Sequence, residues 1–271
     1  MAAFPLMLPG TSRPPKLVVF DLDHTLIACD ATILWTEFLY EKKIVTDPIW
    51  RQYDRDMVKS YAKGVLDIRD FCRKHAGAFR SIPEEKLHAL AQEFAKKKIA
   101  PLIFPDGKKW VKNALQANIP ACVLSASAAF IVKPIAKLFG LTDAMGIELA
   151  FKDGFCTGEI VGIPTFQEGK VERLSQRLAE AGIGFEDVLF FTDSRNDLPL
   201  AERAGYTVCV NPDAVLESSA RKNGWKVAEW KLSLRTQMTA QVDARACRKL
   251  RLFEAKALPL KPIAGSVPAF E

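Results

Sequence analysis

Short apolar runs that recur along the chain and end in acidic or hydroxyl residues constrain its fold most. Leu17–Phe20, Ala121–Leu124, Val188–Phe191, Thr207–Val210 and Lys226–Ala228 read as strands. The most apolar of them have the composition of strands buried on both faces of a parallel sheet. Helical stretches such as Phe130–Leu138, Val171–Ala181 and Leu198–Ala204 lie between them, the last two stopping just before Gly182 and Gly205, as helix C-termini commonly do. The alternation predicts an α/β protein with a Rossmann-like, doubly wound parallel sheet, its loops of chemistry gathered outside the carboxyl ends of the strands.

The first two strands are separated by about a hundred residues, too many for an ordinary crossover. Within this insert Trp35–Tyr40, Val58–Tyr61, Ile68–Phe79 and Glu84–Lys98 read as helix, enough for a small helical cap after the first strand. Glu148–Gly162 reads as a β-hairpin turning at Asp153-Gly154. The expected organisation is a leader over 1–15, a catalytic core from 16–27 and 105–230, a cap over 28–104 and a tail over 231–271.

The net charge of +6 resembles a nucleic-acid signal until it is located. The segment 231–271 holds eight Lys/Arg against three Asp/Glu, leaving the body close to neutral. With Pro259, Pro262, Gly265 and Pro268 in it, the tail reads as a solvated, flexible extension, as does the leader. No apolar run reaches the length of a membrane span, and Phe4–Leu8 is too short and Pro-broken for a signal-peptide core. The six cysteines include no C-x-x-C pair, which fits reduced thiols in a cytoplasmic protein. Neither a membrane nor a specific nucleic acid is expected as a partner, and the oligomeric state is left open.

The chemistry concentrates at strand ends. Asp21 and Asp23 follow Leu17–Phe20, and residues two apart on extended chain point the same way. Two carboxylates that close call for a cation between them or a shared proton, so the pair suggests a metal-dependent site. Ser125 ends the second strand, where its hydroxyl and the free N–H groups beyond it suit a phosphate oxygen; taken alone, an ordinary turn serine is the plainer reading. Lys170 stands at a helix N-terminus, disfavoured by the helix dipole unless its ammonium reaches carboxylates or phosphate; a solvated lysine is the plainer reading. Asp193 ends another buried strand, and Asn196 or Asp197 suits the cap of the following helix.

In this order, Asp21-x-Asp23-x-Thr25, Ser125, Lys170 and the Asp193-x-x-x-Asp197 loop resemble the four motifs of the haloacid dehalogenase superfamily of phosphohydrolases. The Ser-Asn-Asp-Leu-Pro-Leu style of the last motif and the Gly169-Lys170 pair are similar to its phosphoserine-phosphatase-like branch. His24 and Thr192 stand where that family often has glycine; neither change removes a reacting group. The resemblance implies a phosphomonoesterase in which Asp21 is the nucleophile and Asp23 the general acid and base. It further implies that Ser125 and Lys170 bind phosphate, and that Asp21, Asp23 (through its carbonyl) and Asp193 hold Mg²⁺, steadied by Asn196 and Asp197.

For the substrate, a small phosphorylated metabolite, the same resemblance places Asp30 and Arg73 near the groups that hold the amine and carboxylate of phosphoserine. Histidinol phosphate, which has the amine without the carboxylate, is the alternative. Trp35, Phe38 and Tyr53 are candidates for lining a ring pocket, or simply for packing the cap. A phosphotransferase would use the same residues, and a receiver-like signalling domain shares the Asp, Ser/Thr and Lys around magnesium.

Overall fold

A computed structural model of the protein describes residues 14–232; the leader up to residue 13 and the tail beyond 232 lie outside them. Six parallel strands form the central sheet: β1 (Leu17–Phe20), β2 (Ala121–Ala128), β3 (Ala144–Ile147), β6 (Val188–Thr192), β7 (Tyr206–Val210) and β8 (Lys226–Ala228). Their order is β3-β2-β1-β6-β7-β8. The chain therefore winds outward one way from β1 and then reverses at β6. Such a switch point opens a crevice at the carboxyl ends of the two central strands, where ligands of open α/β sheets bind. Every residue of β1 and β6 is buried, which accounts for their unbroken apolar character.

The helices are α1 (Ala31–Glu41), α2 (Ile49–Ala62), α3 (Ile68–His75), α4 (Glu84–Phe94), α5 (Pro105–Gln116), α6 (Ala129–Lys137), α7 (Glu168–Ala181), α8 (Leu198–Ala201) and α9 (Ala214–Asn223). The expected hairpin is present as β4 (Leu149–Lys152) and β5 (Phe155–Ile160), with Asp153 and Gly154 both at positive φ in its turn. The helix expected over Ile68–Phe79 breaks at His75 into a 3₁₀ turn, Ala76–Ala78. There Gly77 faces Trp50 so closely that a Cβ would come within 2.2 Å of the ring.

The insert leaves and rejoins the core through a narrow neck. Ala28 N–H donates to the Leu102 carbonyl at 2.8 Å and Phe104 N–H to that of Leu26 at 3.0 Å. Its helices are attached very unequally. α1 buries eight residues, among them Trp35 and Phe38, which join Phe94 of α4 and Phe130 of α6 in one cluster continuous with Val18 and Phe20 of β1. α2 buries only Asp54 and Met57. Trp35 and Phe38 are thus core residues and do not line a ring pocket.

Candidate active site

Asp21 follows β1 directly, its N–H donating to the Phe191 carbonyl of β6 at 2.9 Å. Its Oδ1 accepts from Lys170 Nζ at 2.8 Å, and the same ammonium donates to Asp197 at 2.8 Å. Lys170 is 1% exposed. Burial alone would push its ammonium down, but Asp197 and Asp21 more than reverse that and hold it charged. The Thr192 hydroxyl donates to Asp197 Oδ2 at 2.7 Å, so the residue standing in place of glycine supplies a partner to the triad. Asp197 makes no side-chain cap on α8; it spends its carboxylate on Lys170 and Thr192.

Asp23 is held from the neighbouring strand. It accepts from Ser125 Oγ at 3.1 Å, Ser127 Oγ at 2.9 Å and the N–H of Ala31 at 2.6 Å. Burial pushes both Asp21 and Asp23 up to about 7. Nearby acids add to the effect, while Lys170 opposes it at Asp21 and the three donors oppose it at Asp23. Ser127 escaped notice in the sequence, although its spacing of two from Ser125 puts both hydroxyls on one side of β2.

Asp193 ends β6 beside Asp21, and Thr25 Oγ1 approaches its Oδ1 at 3.5 Å. Among the described residues no three His, Cys, Asp or Glu side chains form a ready-made metal cluster. The fit to a divalent cation rests on Asp21 and Asp193 at the ends of adjacent strands and on Asp21, Asp23, Asp193 and Asp197 outnumbering Lys170. Two carboxylates and a carbonyl suit Mg²⁺, which keeps several of its waters.

Asn196 sits differently from the expectation that it steadies a metal shell. Its Nδ2 donates to the Tyr61 carbonyl at 3.0 Å and Ser194 Oγ at 3.3 Å, and its Oδ1 accepts from Gln167 Nε2 at 3.1 Å. It is a link between insert and core.

A cavity of about 50 Å³ adjoins these groups, lined on the core side by Asp23, His24, Ser127 and Asp193, and on the insert side by Asp30, Met57, Tyr61, Ile68 and Phe71 among others. His24 holds φ 56°, Asp30 caps α1 by accepting from Ile33 N–H at 3.0 Å, and burial raises the pKa of Asp30. Tyr61, likewise unforeseen and half-buried, brings a phenol whose pKa is raised well above the ordinary by loss of solvent and then by Asp197, Asp21 and Asp193. Arg73 is not brought to Asp30. The cleft-facing side of α3 carries Ile68 and Phe71, whereas Arg73 points toward the hairpin and donates to Glu159 at 3.0 Å with half its side chain exposed. Tyr53 packs edge-on against Trp50 and does not line the cavity.

The model of the haloacid dehalogenase-like hydrolase family matches residues 18–202. A histidinol-phosphatase of Neisseria meningitidis serogroup C (strain 8013) is 36% identical over 220 residues, 80% of this chain and 99% of its own. A phosphoserine phosphatase of Mycobacterium tuberculosis (strain ATCC 25618 / H37Rv) is 27% identical over 84% of this chain and 77% of its own. Among solved structures, a Bordetella pertussis Tohama I protein of unknown function is 32% identical, with a TM-score of 0.71 over 78% of this chain and 96% of that one. A phosphoserine phosphatase solved as a phospho-aspartyl intermediate analogue shares the fold at a TM-score of 0.60 and 22% identity, over 84% of this chain and 99% of its own.

Proposed function

Because the chain belongs to the haloacid dehalogenase-like hydrolase family and is a phosphatase, we propose that it hydrolyses a small phosphomonoester bearing a protonated amine and a ring or apolar group, histidinol phosphate in preference to phosphoserine. The composition of the cleft wall carries this choice. Asp30 is there to meet an ammonium, and Met57, Tyr61 and Phe71 to meet a ring, while among the described residues no Lys or Arg lines the cavity. A substrate carboxylate would lose water beside Asp30 with no cation to receive it, which is costly. The name of the Neisseria relative agrees with this preference.

In this reading Asp21 attacks phosphorus in line with the ester oxygen and becomes an aspartyl phosphate. The departing alkoxide takes the proton of Asp23, which then removes a proton from the water that hydrolyses the acyl phosphate. A group held near pH 7 by burial suits both tasks. Lys170, fixed and charged, offsets the negative charge gathering on the transferring oxygens, and Asp197 keeps the ammonium aimed. Ser125 can turn its hydroxyl from Asp23 to a phosphoryl oxygen, with Ser127 still holding Asp23. Asp21, Asp193 and the Asp23 carbonyl would hold Mg²⁺, which when bound supplies charge neutralisation for the anionic substrate.

The test is steady-state hydrolysis of histidinol phosphate and phosphoserine with magnesium. We expect kcat/KM at least about tenfold higher for histidinol phosphate, an advantage that Asp30→Asn narrows. Asp21→Asn and chelation by EDTA should each stop turnover. A preference for phosphoserine would overturn the substrate choice, and turnover by Asp21→Asn would overturn the assignment of the nucleophile.

A further inference from the structure

The cavity of about 50 Å³ has room for a few waters, each needing roughly 10–15 Å³ of such space. Sites for small molecules span about 300 Å³ or more, so a wall must move to admit a phosphoester. α2 is a wall lightly tied by apolar burial: it contributes Met57 and Tyr61 to the cavity, and only Asp54 and Met57 of it are buried. Elements with few buried apolar contacts open first.

The C-terminal end of α2 is fastened to the core by a carboxamide cluster, beside a Tyr61–Phe166 ring contact at 5.7 Å and a hydrogen bond between the Tyr61 hydroxyl and Ser194. Gln167 Nε2 donates to the Gly64 carbonyl at 3.2 Å and to Asn196 Oδ1 at 3.1 Å. Asn196 Nδ2 in turn donates to the Tyr61 carbonyl at 3.0 Å. Gln167 has φ 49° and ψ −124°, a conformation that glycine adopts at little cost and a side chain does not. The backbone alone would favour glycine there, so the strain points to a use for the side chain.

Both core residues of this cluster adjoin the Lys170 triad. The Gln167 carbonyl accepts from Lys170 N–H at 3.0 Å, and Asn196 precedes Asp197, which holds the ammonium. We propose that Gln167 is a positioning residue: it latches α2 over the site and couples that closure to the placement of Lys170. The kinetic part of this inference rests on the phosphatase reading; the latch itself does not.

The experiment compares the full-length wild type, Gln167→Gly and Gln167→Met by amide hydrogen exchange without ligand, by thermal melting, and by kinetics on histidinol phosphate with magnesium. Gln167→Gly relieves the backbone and removes the latch, so its melting temperature should match or exceed that of the wild type. Exchange over residues 58–66 should nevertheless rise about tenfold, as expected for losing one or two hydrogen bonds, with β1 and β6 unchanged. kcat/KM should fall at least about twofold through the loosened placement of Lys170, because the closed fraction itself changes little while opening stays rare. Gln167→Met, with matching length and no N–H donor, should show the same exchange and a lower melting temperature than Gln167→Gly. Unchanged exchange over 58–66 in both variants, or faster exchange that extends to β1 and β6 with a lower melting temperature in Gln167→Gly, would overturn the latch. A wild type inert toward phosphoesters would overturn the phosphatase reading, while the exchange comparison still decides on the latch.

Discussion

Two buried acid–base clusters, one beneath the strand ends and one inside the insert, are built in opposite ways. Lys170 has a carboxylate at 2.8 Å on either side, and its charge is balanced by partners. In the insert, Asp54 Oδ1 has no hydrogen-bond partner among the described residues, and His75 Nε2 lies 3.7 Å from it, closer to Thr36 Oγ1 at 3.0 Å. Burial pushes Asp54 up to about 8 and His75 down to about 4, so at pH 7 both are mainly neutral. One cluster escapes the cost of buried charge by pairing, the other by protonation. The first leaves a fixed cation beneath the strand ends, and the second leaves an interior of low charge within the insert.

The strongest way to break this contrast is Lys170→Met, which strands Asp21 and Asp197 without a cation. We expect a loss of about 3–5 kcal/mol in urea unfolding together with loss of turnover. Adding Asp197→Asn should return much of the stability and none of the activity. A single variant as stable as the wild type would show that pairing matters less than supposed.

Asp54→Asn sharpens the other half. Between pH 4 and 8 the folded chain binds a proton at Asp54 that the unfolded chain has released, so this residue makes stability fall as pH rises. His75 acts with the opposite sign between pH 4 and 6.5, where the unfolded chain holds the extra proton. The two oppose each other below pH 6.5, and of the two only Asp54 acts from there to pH 8; Asp21 and Asp23 add to the slope up to about 7 but do so in both proteins compared. Over that interval the wild type should lose up to about 1.4 kcal/mol per pH unit relative to Asp54→Asn, read from paired denaturation curves. Parallel curves would mean that Asp54 is ionised in the fold.

The smallest effect belongs to Arg73→Ala. Its exposed pair with Glu159 should be worth under about 0.5 kcal/mol, and kcat/KM should be unchanged for both phosphoserine and histidinol phosphate. A selective loss on phosphoserine would restore Arg73 as the reader of a carboxylate.

The contrast also marks what the sequence could convey. Asp21, Asp23, Ser125 and Asp193 were legible because each ends an apolar run, and strand geometry fixes where the next side chains point. β3 was not: Ala144–Ile147 is a short edge strand containing Gly146, whose Cβ would fall 2.8 Å from the Ala129 Cα and the Ser127 carbonyl. A glycine kept for close approach looks in sequence like a turn. Arg73 was misplaced because periodicity sets the faces of α3 without saying which faces the cleft. Gln167, Tyr61 and Asn196 acquire their roles only when distant segments meet.

The sheet order has a consequence for how the chain reaches this state. β1 lies between strands that come much later, Val18 pairing with Ala121 on one side and Leu189 on the other. Both pairings close very long loops, which slows folding. During synthesis, a nascent chain that has not yet exposed Val188–Thr192 has a first strand with one apolar edge still open, the kind of edge that invites pairing with another chain. The aspartates that follow that strand are thus made well before the strands that set them in place.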